Sequence, residues 1–281
     1  MNIYGLDFTS TPKQQKPITF AECIFDDALL SVRNLRYLTS FSKFEDCLGQ
    51  TGPWMAGLDF PFGQPARLVH HLEWGNTWAT YVGDVETMTK AVWEQDMRAY
   101  QNRQAEGDKL HLRAVDVLAK SQSPMKLDYI PVGKMFFQGA PRLLRSGASI
   151  LPCHPRPDNR LLVEAYPALV ARKWIGRQPY KTDKRKNQTV EHRQARQQLV
   201  DALLASCRNH YGFACEAGET IAGRLIGDPS GDSLDSVLCA VQAAWAYSRR
   251  KQGYGIPTDC DPLEGWIVDP EMLVQWHRKG S

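Results

Sequence analysis

Three short apolar runs in this chain each end in a carboxylate. Asp7 ends the run in YGLDFTSTP, Asp59 ends the run in AGLDFPFG, and Glu164 ends the run in LLVEAYP. If the runs are neighbouring parallel strands, their carboxyl ends meet at one edge of a sheet, where α/β proteins bind ligands. An acid buried beside apolar strands is costly without a partner, so these three acids are candidates for binding a cation.

A further pair of acids lies in GDSLDSVLCAVQAAWA, where Asp232 and Asp235 are three residues apart. In a helix this spacing places both side chains on one face, about 5–6 Å apart. Carboxylates that converge repel one another, and hard oxygen ligands favour Mg²⁺ or Mn²⁺. Two such ions about 3.5–4 Å apart can activate a water and stabilise the leaving oxygen of a phosphodiester. The sequence therefore contains the parts for metal-assisted phosphoryl hydrolysis.

Each acid also has a simpler structural explanation. A single Asp after a strand commonly forms a turn or caps a helix. Asp232 and Asp235 fit the first turn of a helix, where acids complement the helix dipole. Glu164 has Arg172 and Lys173 nearby as ion-pair partners. The occurrence of three strand-end acids together with a helical pair favours the functional interpretation.

The densest positive stretch of the chain follows the third strand-end acid. Its basic residues are Arg172, Lys173, Arg177, Lys181, Lys184, Arg185, Lys186, Arg193 and Arg196, with Trp174 and Tyr180 between them. One interpretation is a track for a phosphate backbone, with an aromatic side chain for base stacking. The other is a solvated loop and helix face. The candidate nucleic-acid-binding residues are Lys181, Lys184, Arg185, Lys186 and Arg193.

The elements that must position these residues predict an α/β fold. Residues 2–8, 18–25 and 29–37 have the pattern of a three-strand meander, and a short helix over 41–48 leads to a further strand over 54–60. This order begins an α/β architecture within one domain, 1–281.

The sequence pattern of the middle of the chain differs from that of the strands and helix before it. Residues 64–158 predict a helical and loop insertion, in which 85–103 is helical and 125–157 is broken by Pro and Gly.

After this insertion the predicted elements resume. They are a strand over 161–164, an amphipathic helix over 189–208, a helix from Asp228 to about 251, a last strand over 265–269 and a terminal helix over 271–278.

Composition restricts the protein class. The chain has 281 residues, of which 43% are hydrophobic and 23% charged, as expected for a globular protein with a substantial core. A net charge of +3 is too small to indicate a nucleic-acid partner by itself. The N-terminal residues lack a signal-peptide pattern, and no apolar run approaches the ~20 residues of a membrane helix. We therefore expect a cytoplasmic protein with reduced cysteines.

The motifs GLDFTSTP, AGLDFPFG, VEAYP and DSLDSVLCAVQAAWA, followed by EGWIVDP, together resemble domain of unknown function family 429, whose members are predicted RNase H-like nucleases. The resemblance extends from Tyr4 to Pro270. It implies an RNase H-like mixed sheet flanked by helices. One departure is the helix motif, which has Asp-Ser-Leu-Asp-Ser where the family pattern has Asp-Ala-Leu-Asp-Ala.

The resemblance also implies roles for individual acids. Asp7 would be the central metal bridge, Glu164 and Asp235 further ligands, and Asp232 a neighbour that completes the catalytic set. Asp59 matches the Asp-x-Pro position of the family, where it either binds metal or holds the turn that follows. The implied cofactor is Mg²⁺ or Mn²⁺, and the implied substrate is DNA or RNA.

The favoured hypothesis is thus a metal-dependent nuclease, and two alternatives stay open. The first is an actin-like nucleotide-binding phosphotransferase, because GLDFTST partly matches the first phosphate loop of that class. The missing glycines of that loop, and the absence of a paired-glycine adenosine motif, count against it. The second is a non-catalytic binding protein whose acids only cap turns.

Overall fold

A seven-stranded mixed sheet forms the centre of the protein, for which a computed structural model describes residues 1–182 and 187–279. Its strands are β1 (Asn2–Asp7), β2 (Ile18–Phe25), β3 (Leu29–Leu38), β4 (Trp54–Asp59), β5 (Ser149–Leu151), β6 (Arg160–Glu164) and β7 (Ala214–Ala217). The order across the sheet is β5-β6-β4-β1-β2-β3-β7. Strands β1 to β3 form an antiparallel meander, whereas β4 is parallel to β1, and β6 is parallel to β4.

Helices cover both faces of this sheet. They are α1 (Phe41–Leu48), α2 (Ala66–His71), α3 (Trp78–Thr87), α4 (Lys90–Arg103), α5 (Ala114–Ala119), α6 (Val132–Ser146), α7 (Pro167–Ile175), α8 (Val190–Tyr211), α9 (Glu219–Gly227), α10 (Asp232–Ser248) and α11 (Pro270–Lys279). The predicted mixed α/β fold of RNase H-like type is confirmed. Within the described residues, no helix is both long and apolar enough to cross a membrane.

Two hydrophobic cores form because side chains alternate along each strand. Ile3, Met55 and Val163 point to one face, where they pack with the apolar residues of α7, α8 and α10. Leu6 and Leu58 point to the other face, where they pack with α1, α3, α4 and α6. Each strand-end acid therefore belongs to one face or the other according to its place in this alternation.

Helix α10 lies directly on β1 and β4. A Cβ atom on Gly5 would come within 1.9 Å of the carbonyl oxygen of Ser236, and one on Gly57 within 2.4 Å of the carbonyl oxygen of Cys239. The two glycines are register partners in the parallel pair of β1 and β4. Only glycine leaves room for this close approach, which brings the first turn of α10 to the carboxyl ends of both strands.

The region between β4 and β6 is more regular than its sequence indicates. Residues 125–157 include the 15-residue helix α6 and the short strand β5, which is parallel to β6 at the edge of the sheet. Helix α6 tolerates Pro141 within it because burial of Phe136, Ala140 and Leu143 in the second core stabilises the helix. The interpretation of 64–158 as an insertion into a single domain stays a prediction.

Three predicted boundaries differ from the structure. The helix predicted over 85–103 is interrupted at Met88, so that it forms the end of α3 and all of α4. The helix predicted from Asp228 begins four residues later, because the Asp228 carboxylate accepts the backbone N–H groups of Ser230 and Ser233 in a turn. The strand predicted over 265–269 is reduced to one bridge, between Ile267 and Glu164.

Candidate active site

Asp7 and Asp59 lie side by side at the carboxyl ends of β1 and β4, where they are register partners. Neighbouring strands are about 4.8 Å apart, so the two carboxylates share one small region. Burial, and then the carboxylate of Asp232, raises the pKa of Asp7 well above its usual range. Burial also raises the pKa of Asp59 to about 7, with nearby Asp235 adding to the effect.

Asp232 and Asp235 bring two more carboxylates to the same place from the first turn of α10. The exposed fraction is 7% for Asp232 and 0% for Asp235. Burial raises the pKa of Asp232, and the charge of Asp235 raises it further. The helix dipole favours acids at this end of α10, although it does not account for four converging carboxylates. We call Asp7, Asp59, Asp232 and Asp235 the acidic cluster.

Lys181 supplies the positive charge at this cluster. Its ammonium donates to Oδ2 of Asp235, and the hydroxyl of Tyr180 donates to Oδ1 of the same carboxylate at 2.6 Å. The ammonium also lowers the pKa values of Asp7, Asp59 and Asp232. Burial acts to lower the pKa of Lys181, but the charges of Asp235, Tyr180 and Asp7 together outweigh this effect and hold that pKa well above its usual value.

This position of Lys181 differs from the one predicted. The sequence placed Lys181 in a track for phosphate groups, whereas its ammonium bonds to an acid of the cluster. The predicted Lys184, Arg185 and Lys186 lie outside the described residues. Arg193 is exposed near the start of α8.

Other members of the basic segment have structural partners. Arg172 donates to the carbonyl of Ala119, and Lys173 forms ion pairs with Asp269 and Glu271. Arg196 is 3% exposed and donates to the carbonyls of Tyr180 and Ile226. These cations therefore hold elements together, and Arg196 fixes the backbone next to Lys181.

The two aromatic residues of this segment also point inwards. Trp174 donates its indole N–H to Ser206, and Tyr180 is buried against Asp235. The expected aromatic for base stacking is therefore not supplied by either of them.

Glu164 lies at the same edge of the sheet but belongs to the opposite face. Its register partner on β4 is Leu58, one residue before Asp59. Because side chains alternate along a strand, Glu164 points away from the face that carries Asp7 and Asp59.

Arg113 occupies both oxygens of this glutamate. Its Nη1 donates to Oε2 of Glu164 at 2.8 Å and its Nη2 to Oε1 at 2.6 Å, while the backbone N–H of Phe62 donates to Oε2 at 2.8 Å. Burial raises the pKa of Glu164, and Arg113 opposes that shift. The metal-binding role predicted for Glu164 needs a free carboxylate, and this geometry gives Glu164 a structural partner instead. That partner is neither Arg172 nor Lys173.

Arg113 was not predicted from the sequence as a residue of this site. The guanidinium is fully buried, and it also donates to both oxygens of Asp116. The only signal was the spacing RAVD, which places a basic and an acidic residue three positions apart. That spacing is common on exposed helix faces, so it does not indicate a buried ion pair.

Chemically, the acidic cluster suits a hard cation, because all four side chains offer carboxylate oxygens. As the side chains stand, the described part of the chain contains no group of three or more His, Cys, Asp or Glu residues arranged to hold a metal ion. The Lys181–Asp235 pair uses a carboxylate oxygen that a cation at this cluster would need.

Comparison with protein-family models matches residues 134–260 to the family described as protein of unknown function (DUF429). The matched region contains Lys181, Asp232 and Asp235, and it supports the family that the motifs indicated. That family description assigns no activity. No curated protein and no solved structure matches the chain significantly.

Proposed function

We propose that this protein, whose residues 134–260 match the DUF429 family, is a cytoplasmic metal-dependent nuclease whose metal ligands come from the acidic cluster. The observation that carries the proposal is the convergence of Asp7, Asp59, Asp232 and Asp235 at the carboxyl ends of two adjacent parallel strands. Four carboxylates face the ammonium of Lys181, and Lys16 adds a second positive charge that acts on Asp232, which leaves an excess of negative charge when all four acids are ionised. A divalent cation is the partner that this excess favours.

Mg²⁺ or Mn²⁺ bound there would lower the pKa of a water and neutralise the charge that develops on a phosphodiester. Several residues of the chain position the acidic cluster for this chemistry. Gly5 and Gly57 let α10 approach the strands, and Tyr180 orients the Asp235 carboxylate by its hydrogen bond. The ammonium of Lys181 bonds to Asp235 and would compete with a cation for that carboxylate.

In this proposal Glu164 supports the site without contacting the metal. Its carboxylate accepts the N–H of Phe62, just after the Asp59-Phe60-Pro61 turn, and it anchors the buried Arg113. The exposed Arg193 and the basic residues 184–186 would contact the phosphate backbone of DNA or RNA. Lys181, once released from Asp235, would join them.

The test is cleavage of single-stranded and duplex DNA and RNA in Mg²⁺, in Mn²⁺ and in EDTA. We expect cleavage only with a divalent cation, and a loss of at least ~100-fold in Asp7→Asn with the melting temperature retained, since one metal ligand is removed. Asp84→Asn, a change at an exposed aspartate of α3, is the matched control and should cleave at the wild-type rate. Cleavage by Asp7→Asn at the wild-type rate would rule out this site.

A second candidate is a non-catalytic binding protein in which Lys181 neutralises the cluster permanently. The Lys181–Asp235 pair and the absence of a grouped metal site among the described residues favour it. The two candidates differ in their response to Mn²⁺, because an ion that binds the native state must stabilise it. A rise in melting temperature with Mn²⁺ supports the nuclease, and an unchanged melting temperature supports the binding protein.

A further inference from the structure

A mostly apolar cavity of about 300 Å³ opens next to the acidic cluster. Asp59 and Asp235 form part of its lining, so any group within it lies beside the carboxylates. Its apolar walls come from Pro61, Val132, Met135, Ala168 and Ile267. A cavity of this size and character is typical of a site for a small organic group.

The two cationic side chains in the wall of this cavity, Arg113 and Lys181, already bond to carboxylates. Arg113 bonds to both Glu164 and Asp116, and Ser121 donates to Asp116 at 2.7 Å. An anionic ligand would therefore find both of these cations engaged. The group that fits here is uncharged and apolar, with polar atoms at its edge.

A polar groove lies on the other side of the same carboxylates. Its volume is about 570 Å³, and Lys16, Arg224 and Asp232 are among its lining residues. The acidic cluster thus separates an apolar cavity from a polar groove that carries basic side chains. A nucleic-acid strand has the matching composition, since its bases are apolar and planar whereas its backbone is anionic.

Two consecutive residues, of which one lines the cavity, have large exposed side chains. Ile130, which lines the cavity, is 56% exposed, and its neighbour Tyr129 is fully exposed. Tyr129 has a φ of 62°, in the left-handed region that a tyrosine rarely adopts. A fully exposed aromatic side chain next in sequence to a lining residue is available to stack on a base.

We propose that this cavity receives one unpaired nucleobase of the substrate, which makes single-stranded nucleic acid the preferred substrate class. The inference rests on the proposed nuclease function. In a duplex the bases are stacked and paired, so a base has to leave the stack before it can enter such a pocket. Tyr129 and the wall residue Ala168 would then determine specificity, while the acidic cluster acts on the adjacent phosphate.

Binding without cleavage tests this proposal. Fluorescence anisotropy in EDTA would compare a labelled oligothymidylate of about 12 nucleotides, an abasic strand of equal length and the matching duplex. We expect the base-containing strand to bind at least ~10-fold more tightly than either of the others. Tyr129→Ala should weaken that binding by about 5- to 100-fold, the range for loss of one stacked base, and leave duplex binding unchanged.

Ala168→Leu, which fills the cavity, should have the same effect, whereas Ala202→Leu on α8, outside the cavity lining, is the matched control. Because Tyr129 is fully exposed, its replacement keeps the test valid even if Ala168→Leu does not fold. Equal affinity for the abasic and base-containing strands would overturn the proposal, as would failure to bind any oligonucleotide.

The outcomes also separate this inference from the proposed function. Base-dependent binding without metal-dependent cleavage would support the nucleobase pocket and contradict the proposed nuclease activity. Metal-dependent cleavage at equal rates on single strands and duplexes would support the nuclease activity and contradict the nucleobase pocket.

Discussion

Lys181 and Asp235 form an ion pair at the centre of the acidic cluster, between the connection from α7 to α8 and the first turn of α10. The Asp235 side chain is fully buried, whereas the Lys181 side chain is 39% exposed and reaches the cluster from outside. The lysine therefore takes the place at Asp235 that a cation would take, and the two must compete for the carboxylate.

Replacement of this lysine should separate its effect on the stability of the protein from its effect on metal binding. In Lys181→Met the metal-free protein should lose about 1–3 kcal/mol of unfolding free energy, because a buried carboxylate loses its partner and the pair is only partly buried. Affinity for Mn²⁺ should rise about 10-fold, since the competing ammonium is gone. Chemical denaturation and titration calorimetry measure the two quantities.

The control for this prediction is Lys90→Met, which removes an exposed lysine of α4. It should change neither stability nor Mn²⁺ affinity. An unchanged Mn²⁺ affinity in Lys181→Met would show that the ammonium and the ion do not share a site.

Glu164 should behave differently from Asp7. Glu164→Gln leaves Arg113 with one charged partner in a buried place, so we expect a loss of about 1–3 kcal/mol in unfolding free energy. Asp7→Asn should have little effect on stability. The two variants should differ in the opposite sense in their response to Mn²⁺. Glu164→Gln should keep the metal-induced rise in melting temperature, whereas Asp7→Asn should lose most of it.

Differential scanning fluorimetry with and without Mn²⁺ checks both variants. If Glu164→Gln kept the wild-type fold but lost the rise in melting temperature with Mn²⁺, Glu164 would have to be a metal ligand.

This difference between Glu164 and Asp7 marks the limit of what the sequence could predict. Apolar runs that end in acids correctly indicated that three carboxylates lie at one sheet edge, and the spacing of Asp232 and Asp235 correctly placed them on one helical turn. The face to which each acid points depends on strand register. Glu164 pairs with Leu58 and not with Asp59, and that offset of one residue turns it to the other face.

The register of β4 and β6 is set by contacts between segments about 100 residues apart, so no local pattern reveals it. The same holds for Arg113, whose partner Glu164 is 51 residues away. Lys181 was identified as a basic residue of interest, but its bond to Asp235 depends on how the connection between α7 and α8 folds back on α10. The overall fold was predictable because it follows from hydrophobic periodicity along each element.

Gly5 should be essential for the position of α10. In Gly5→Ala the new Cβ would meet the carbonyl of Ser236 and the N–H of Ala240 at 1.9 and 2.3 Å, so the helix has to shift. We expect a loss of about 3 kcal/mol or more in unfolding free energy. The metal response should weaken as well, because the displaced helix carries Asp235.

Gly83→Ala is the matched control, since a Cβ there meets nothing within 4 Å and the residue lies inside α3. It should stabilise the protein by up to about 1 kcal/mol. Urea denaturation of the two variants would contradict the prediction if Gly5→Ala were as stable as the wild type.

Asp59 should make the metal-free protein less stable as the pH rises. Its pKa of about 7 lies above the ~3.9 of an aspartate in an unfolded chain, so the folded state binds this proton more tightly. The resulting stabilisation is complete below about pH 4 and is lost as the pH rises through 7. In EDTA, Asp59→Asn should therefore gain stability relative to the wild type between pH 5.5 and pH 8, by on the order of 1–3 kcal/mol. Mn²⁺ affinity of the wild type should rise over the same interval, because the ion binds the deprotonated carboxylate.

Urea denaturation at the two pH values measures the difference in stability, and calorimetry measures the Mn²⁺ affinity. A constant difference between wild type and Asp59→Asn across this range would mean that Asp59 is already ionised at pH 5.5, and that Lys181 alone neutralises the cluster.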